Sequence, residues 1–166
     1  LGMRDTVFAN ASGLPDPAHF SSAQDIAILS AAMIRNHPNW YKIFSEQSYS
    51  FGRIRMANHN KLLGNVEGLD GIKTGFTNDS GFTLTASAVR GGHRLIAVVL
   101  GSPASWQRNH DITTLLNVGF AVLAIRHGGG TEDMPALLAG AGFQLNRSLR
   151  TAPQLTAIDI EEGDGE

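Results

Sequence analysis

The sequence predicts an α/β fold of the α+β kind, in which helices pack on an antiparallel sheet. Three stretches carry that reading. From Gly81 to Val89, Phe82, Leu84, Ala86 and Ala88 alternate with Thr83, Thr85 and Ser87, the period-2 pattern of a half-buried strand. After the turn "RGGHR", the continuous apolar run "LIAVVLG" (95–101) suits a central strand. Residues 105–124 then set Ile112, Leu115, Leu116, Gly119, Phe120 and Leu123 on one face of a helix. With "GIKTGF" upstream as a third strand, residues 70–77, 81–90 and 94–101 are expected to form an antiparallel meander.

The earlier elements are shorter. "ASGLPDPAHFSS" is a loop by its Gly, Pro, Ser and Asp content. Ser22 followed by Asp25 matches a helix-start box, and Ile26, Leu29 and Met33 repeat at helical spacing until Pro38 ends the run. "NWYKIF" reads as a second, short helix. "SYSFGRIRM" reads as a strand with a turn at Gly52, and "ANHNKLLGNVEG" as turns in which Asn58 and Asn60 are turn formers. Beyond "HGGG" (127–130) periodicity fades into an acidic end, so 128–166 is expected to be a flexible or weakly structured tail.

Composition removes several function classes. The 166 residues carry a net charge of −2, and the last eight hold five of the fifteen acids, which leaves the rest at +3. With no Lys/Arg cluster, that is too weak for a nucleic-acid reader, although it favours an anionic ligand. There is no cysteine, hence no disulfide or thiol chemistry. No run of 18 apolar residues exists, and "LGMRDTVFAN" lacks the charged and apolar parts of a signal peptide. The six histidines include no H-x-x-x-H pair, so neither a metal site nor a cofactor is expected.

The informative stretch is "GLDGIKTGFTNDSGF" (68–82), where three glycines surround one Lys-Thr pair. Glycine weakens a strand unless something must approach its backbone. Lys73-Thr74-Gly75 opens the meander, and Lys-Thr-Gly is one of the short motifs of penicillin-binding proteins and β-lactamases. The longer strings "NHNKLL", "GLDGIKTGFT", "SGF", "ASAVRGGHRLIAVVLG" and "LLNVGF" closely resemble the serine-type D-Ala-D-Ala carboxypeptidases, the low-molecular-mass penicillin-binding proteins. "LGMRDTVFANASGL" and "SSAQDIAIL" resemble the same family upstream. The resemblance covers about residues 1–125.

That resemblance implies a β-lactamase/transpeptidase-like fold, with residues 1–127 as the C-terminal portion of a penicillin-binding catalytic domain. It implies a substrate, a peptidoglycan stem peptide ending in D-Ala-D-Ala, laid antiparallel along a sheet edge. Gly75 would leave room for its backbone, Thr74 would offer a hydroxyl to the terminal carboxylate, and Lys73 would supply charge and a proton path. The backbone N–H of Phe76 would form half of an oxyanion hole. Arg108, in "WQRNHD", matches the arginine that helps bind the carboxylate. His19 and Asp25 flank a loop that borders the site in the family; taken bare, they read as a surface residue and a helix cap. A periplasmic or cell-envelope location and inhibition by β-lactam antibiotics follow from the same resemblance, whereas membrane association finds no support in this segment.

The nucleophile is missing. No serine stands three residues before Lys42, Lys61 or Lys73, no serine stands two before any asparagine, and G-x-S-x-G is absent. The chain is therefore expected to lack the nucleophile-bearing half of the domain and to be inactive alone, with Phe82, Leu84 and the strand 95–100 partly bare. A non-catalytic wall-peptide binding module is the alternative. A β-lactamase ranks below both, because "SGLPDPAHFSS" lacks the Glu-x-x-Leu-Asn-like element of a deacylating enzyme.

Overall fold

The computed structural model describes residues 1–126 and 154–160. In chain order the elements are helix α1 (Ala23–Asn36), helix α2 (Pro38–Tyr41) running into a 3₁₀ turn (Lys42–Ser45), and hairpin β1 (Ser48–Phe51) with β2 (Ile54–Ala57). The meander follows as β3 (Leu69–Thr77), β4 (Gly81–Arg90) and β5 (His93–Ser102), then helix α3 (Ser105–Arg126) and strand β6 (Gln154–Ile160). The expected meander and long helix are thus present, within two residues at each end.

The expected tail 128–166 lies mostly outside the described residues. Its segment 154–160 pairs antiparallel with β5, from Arg94 opposite Ile160 to Leu100 opposite Gln154. The principal sheet therefore has the order β3-β4-β5-β6, with β3 at one edge.

Helices cover both faces of this sheet. On one side Leu84, Ala86, Ala88, Leu95, Ala97 and Val99 pack against Ile112, Leu116 and Leu123 of α3, with Leu62 and Leu63 closing the layer. On the other, Ile96 and Val98 meet Ala23, Ala27 and Ala31 of α1. The small alanines let α1 approach β5 closely. This double cover corrects two expectations. The Thr85 and Ser87 face of β4 is buried instead of wet, because α1 and the segment after it lie over it. Leu84, Ile96, Val98 and Val99 are fully buried, not bare, whereas Phe82 and Leu100 are half-buried.

Local rules account for the ends of α1. Ser22 accepts a hydrogen bond from the Asp25 N–H at 3.2 Å, the first half of a capping box. The Asp25 carboxylate turns outward from the helix and accepts from the Asp5 N–H at 2.8 Å and the Thr6 hydroxyl at 2.7 Å. The Thr6 hydroxyl bond, with the backbone N–H groups of Asp5 and Arg4, holds this carboxyl below its ordinary 3.8 despite burial. The N-terminal segment is fastened there and by the bridge between Val7 and Phe20.

Gly68 answers part of the glycine question. Its φ is +72°, and a Cβ there would stand 2.0 Å from the Val89 carbonyl oxygen. The Gly68 carbonyl in turn accepts the Val89 N–H at 2.9 Å, so the entry to β3 lies directly on the end of β4.

Two outcomes follow. Gly68→Ala meets a left-handed backbone and an immovable carbonyl together, and should cost about 2–4 kcal/mol in denaturant unfolding; a loss under 0.5 kcal/mol would contradict this close approach. Asp25 has a lowered folded pKa, so its contribution is present above 3.8 and is lost as pH falls through the folded value. The melting-temperature gap between wild type and Asp25→Asn should therefore be full above about pH 5 and narrow below 3.8. An equal gap at neutral and acid pH would show that the carboxylate charge is not what matters.

Candidate active site

Strand β3 presents the motif at a sheet edge. In the β3–β4 register Lys73 lies opposite Thr85, Thr74 opposite Leu84, Gly75 opposite Thr83 and Phe76 opposite Phe82. Paired residues share a face, so Thr74 and Phe76 lie on the α3 side with Leu84, and Lys73 and Gly75 on the α1 side. Lys73 is exposed, and its ammonium donates to the Thr74 carbonyl. The Phe76 ring is 57% exposed and stacks at a tilt on Phe82, with centroids 4.4 Å apart.

Gly75 has a reason within the chain as well as the one expected for a ligand. A Cβ at this position would stand 2.6 Å from the Thr83 hydroxyl oxygen. The space over the strand is thus kept by glycine and a threonine together.

Two cavities meet at Lys73, Thr74 and Gly75. One, of about 690 Å³, runs between α1 and β3 over Ile26, Leu29, Met33 and Ile72 and is largely apolar. The other, of about 560 Å³, is lined by His59, Lys61, Phe76, Phe82, Arg108 and Asn109 besides the motif. This second cavity touches residues from both faces of β3, so it wraps the free edge. Among the described residues its lining holds the cationic side chains of Lys61, Lys73 and Arg108 and no carboxylate.

Arg108 sits in the first turn of α3 and is 5% exposed. Its Nε and Nη2 donate to the Asn109 side-chain oxygen at 3.1 and 2.8 Å, and Nη1 donates to the Thr83 carbonyl at 3.4 Å. No carboxylate among the described residues lies within ion-pair distance of it. Burial pushes its pKa down from the usual guanidinium value.

The far end of the motif strand is anchored by a polar network that sequence patterns did not reveal. Arg94 on β5 donates to Asp70 at 2.7 Å and to the Ser87 hydroxyl at 2.7 Å. The Tyr41 hydroxyl donates to the other Asp70 oxygen at 2.9 Å, and the Arg94 guanidinium lies over the Tyr41 ring at 5.5 Å. Burial first, and then the neighbouring Asp70, push the Tyr41 phenol well above its ordinary pKa. Asn60, expected only to form a turn, also donates to the Gly71 carbonyl at 3.3 Å. Gly71 is pressed against Tyr41, whose hydroxyl would be 2.6 Å from a Cβ there. Asp70 could have been suspected from its place beside the motif; Arg94, 24 residues away, left no spacing signal.

The structure brings Lys73, Thr74, Gly75, Phe76 and Arg108 together around one cavity. His19 and Asp25 are elsewhere. His19 lines a separate cavity of about 470 Å³ with Phe8, Phe20 and Asp79, stacks at a tilt on Phe8, and leaves its buried Nδ1 without a hydrogen bond. Asp25 holds the N-terminal segment, as described above. Among the described residues no cluster of His, Cys, Asp or Glu could hold a metal ion, and no helix is long and apolar enough to cross a membrane.

Comparison with known proteins bears on the family and the fold. Residues 1–104 match the family model described as D-alanyl-D-alanine carboxypeptidase. The D-alanyl-D-alanine carboxypeptidase DacA of Haemophilus influenzae is 43% identical over 123 residues, which are 73% of this chain and 31% of that protein. The structure resembles penicillin-binding protein 5 from H. influenzae with a TM-score of 0.69 and 42% identity, over 72% of this chain and 36% of that one. It also resembles penicillin-binding protein D2 of Listeria monocytogenes, solved in a cefotaxime-bound form, at a TM-score of 0.67 and 36% identity, over 72% of this chain and 50% of that one. These likenesses show the expected transpeptidase-like fold, and the chain spans about a third of the length of the curated relatives it matches. With the family model covering more than half of its residues, the chain belongs to the D-alanyl-D-alanine carboxypeptidase family.

Proposed function

We propose that this chain forms the carboxylate-binding wall of a serine-type D-alanyl-D-alanine carboxypeptidase that acts on peptidoglycan stem peptides in the bacterial envelope. One observation carries the reading: a buried arginine with no acidic partner among the described residues lines the same cavity as Lys73-Thr74-Gly75, at the free edge of a sheet. An unpaired buried cation is costly unless a ligand supplies the counter-charge. An edge strand can take an extended peptide by main-chain hydrogen bonds. A peptide ending in a free carboxylate satisfies both demands.

The roles divide by position. Arg108 and the Thr74 hydroxyl receive the terminal carboxylate. Lys73 brings positive charge and a transferable proton to the reacting end, and the Phe76 N–H stabilises the oxyanion of the tetrahedral intermediate. The attacking serine is not among these residues, since no Ser-x-x-Lys occurs in the chain. β-Lactams, bound by the Listeria relative, are inhibitors of the whole enzyme on this reading. The absence of that motif also sustains a second reading, a wall-peptide binding module without catalysis. A covalent penicillin adduct on the full-length gene product, read by intact mass, separates the two.

Three outcomes test the proposal. In the full-length protein, Arg108→Ala should lower kcat/KM on a peptide ending in free D-Ala by about 10- to 150-fold, the equivalent of ~1.5–3 kcal/mol for one charge-assisted bond. The C-terminally amidated peptide should be affected far less, and equal losses on both would remove Arg108 from carboxylate binding. Lys73→Ala should abolish turnover with little change in melting temperature, because an exposed strand lysine contributes little to stability. Residues 1–166 alone should give no stable adduct with labelled penicillin, and a stoichiometric adduct on any serine would contradict the account of the missing nucleophile.

A further inference from the structure

Among the described residues the Arg108 guanidinium is held by neutral oxygens alone. Its three hydrogen bonds go to the Asn109 side-chain oxygen, twice, and to the Thr83 carbonyl. They use three of the five N–H groups of an arginine and leave two for another partner. A carboxylate in the place of the Asn109 amide would offer the same oxygen and a full negative charge, the usual solution for a buried guanidinium. The amide meets the geometric demand and leaves the charge standing. Asn109 is half-buried, lines the cavity beside Arg108, and its own backbone oxygen is tied down by the Thr113 hydroxyl at 2.9 Å.

We propose that Asn109 is a positioning residue, which fixes the Arg108 fork at the cavity while leaving its charge uncompensated for the carboxylate of a peptide ligand. This rests on the reading of Arg108 given above and adds to it a reason for a neutral side chain at position 109. An aspartate here would make an internal ion pair, and an incoming carboxylate would then meet a neutral unit. An alanine would keep the charge but release the fork, so that its remaining donors no longer converge.

The test uses the full-length protein labelled with ¹⁵N-arginine and titrated with N-acetyl-D-alanyl-D-alanine or its C-terminal amide, read by NMR. Wild type should bind the acid at least tenfold more tightly than the amide and should show a protected Nε–H signal for Arg108. Asn109→Asp should keep that signal and lose most of the preference for the acid. Asn109→Ala should lose the signal and part of the preference, with acid binding weakened more than amide binding. A merely structural role would lower the melting temperature and weaken both ligands equally, which would overturn the inference. Full retention of the acid preference in Asn109→Asp would overturn it too, while leaving the Arg108 reading in place. No acid preference in wild type would overturn the Arg108 reading itself and this inference with it. If Asn109→Asp does not fold, Asn109→Ala decides, and a retained signal with unchanged preference refutes the role of Asn109.

Discussion

The ion pair between Arg94 and Asp70 is the constraint on which the site depends. It joins β5 to the start of β3 across β4, and Ser87 on the intervening strand shares the same guanidinium. Tyr41 takes the remaining Asp70 oxygen, so the end of α2 is tied to the same point. Removing two charges from water is expensive, and such a pair holds only when its other donors and acceptors are satisfied. Here the carboxylate has a partner on each oxygen. The geometry this imposes at residue 70 sets where Lys73, Thr74 and Gly75 emerge along the edge.

The parts of the fold that could be read from sequence are those with a local period. Strand β4 announced itself by alternation, β5 by an unbroken apolar run and α3 by a stripe of Ile112, Leu116 and Leu123. What could not be read was the far side of the sheet. Thr85 and Ser87 look like part of a wet face because their side chains are polar, yet both are buried and Ser87 accepts from Arg94. Burial of a polar face depends on partners distant in sequence, and no period records it. Strand β6 was hidden for a similar reason: "QLTAIDI" is short, and its pairing with β5 is a long-range fact.

The site divides along the same line. Lys73, Thr74, Gly75, Phe76 and Arg108 were legible through family resemblance, and the structure gathers them around one cavity. His19 and Asp25 were named from their position in a loop, and they lie away from that cavity. Asp25 is spent on holding the N-terminal segment, a task its helix-start position only half suggested. Asn109 carries no signal beyond its adjacency to Arg108, since an asparagine in the first turn of a helix is commonplace.

Two arginines differ in how the fold meets their charge. Arg94 and Arg108 are buried to nearly the same degree, 9% and 5% exposed. Arg94 has an internal carboxylate, a serine hydroxyl and an aromatic face, so its charge is fully used within the fold. Arg108 has an amide oxygen and a backbone carbonyl, which orient it without neutralising it. Burial alone therefore does not distinguish the two; the charge of the partner does. On the proposed reading, the counter-charge of Arg108 comes from the terminal carboxylate of a peptide laid along the free edge of β3.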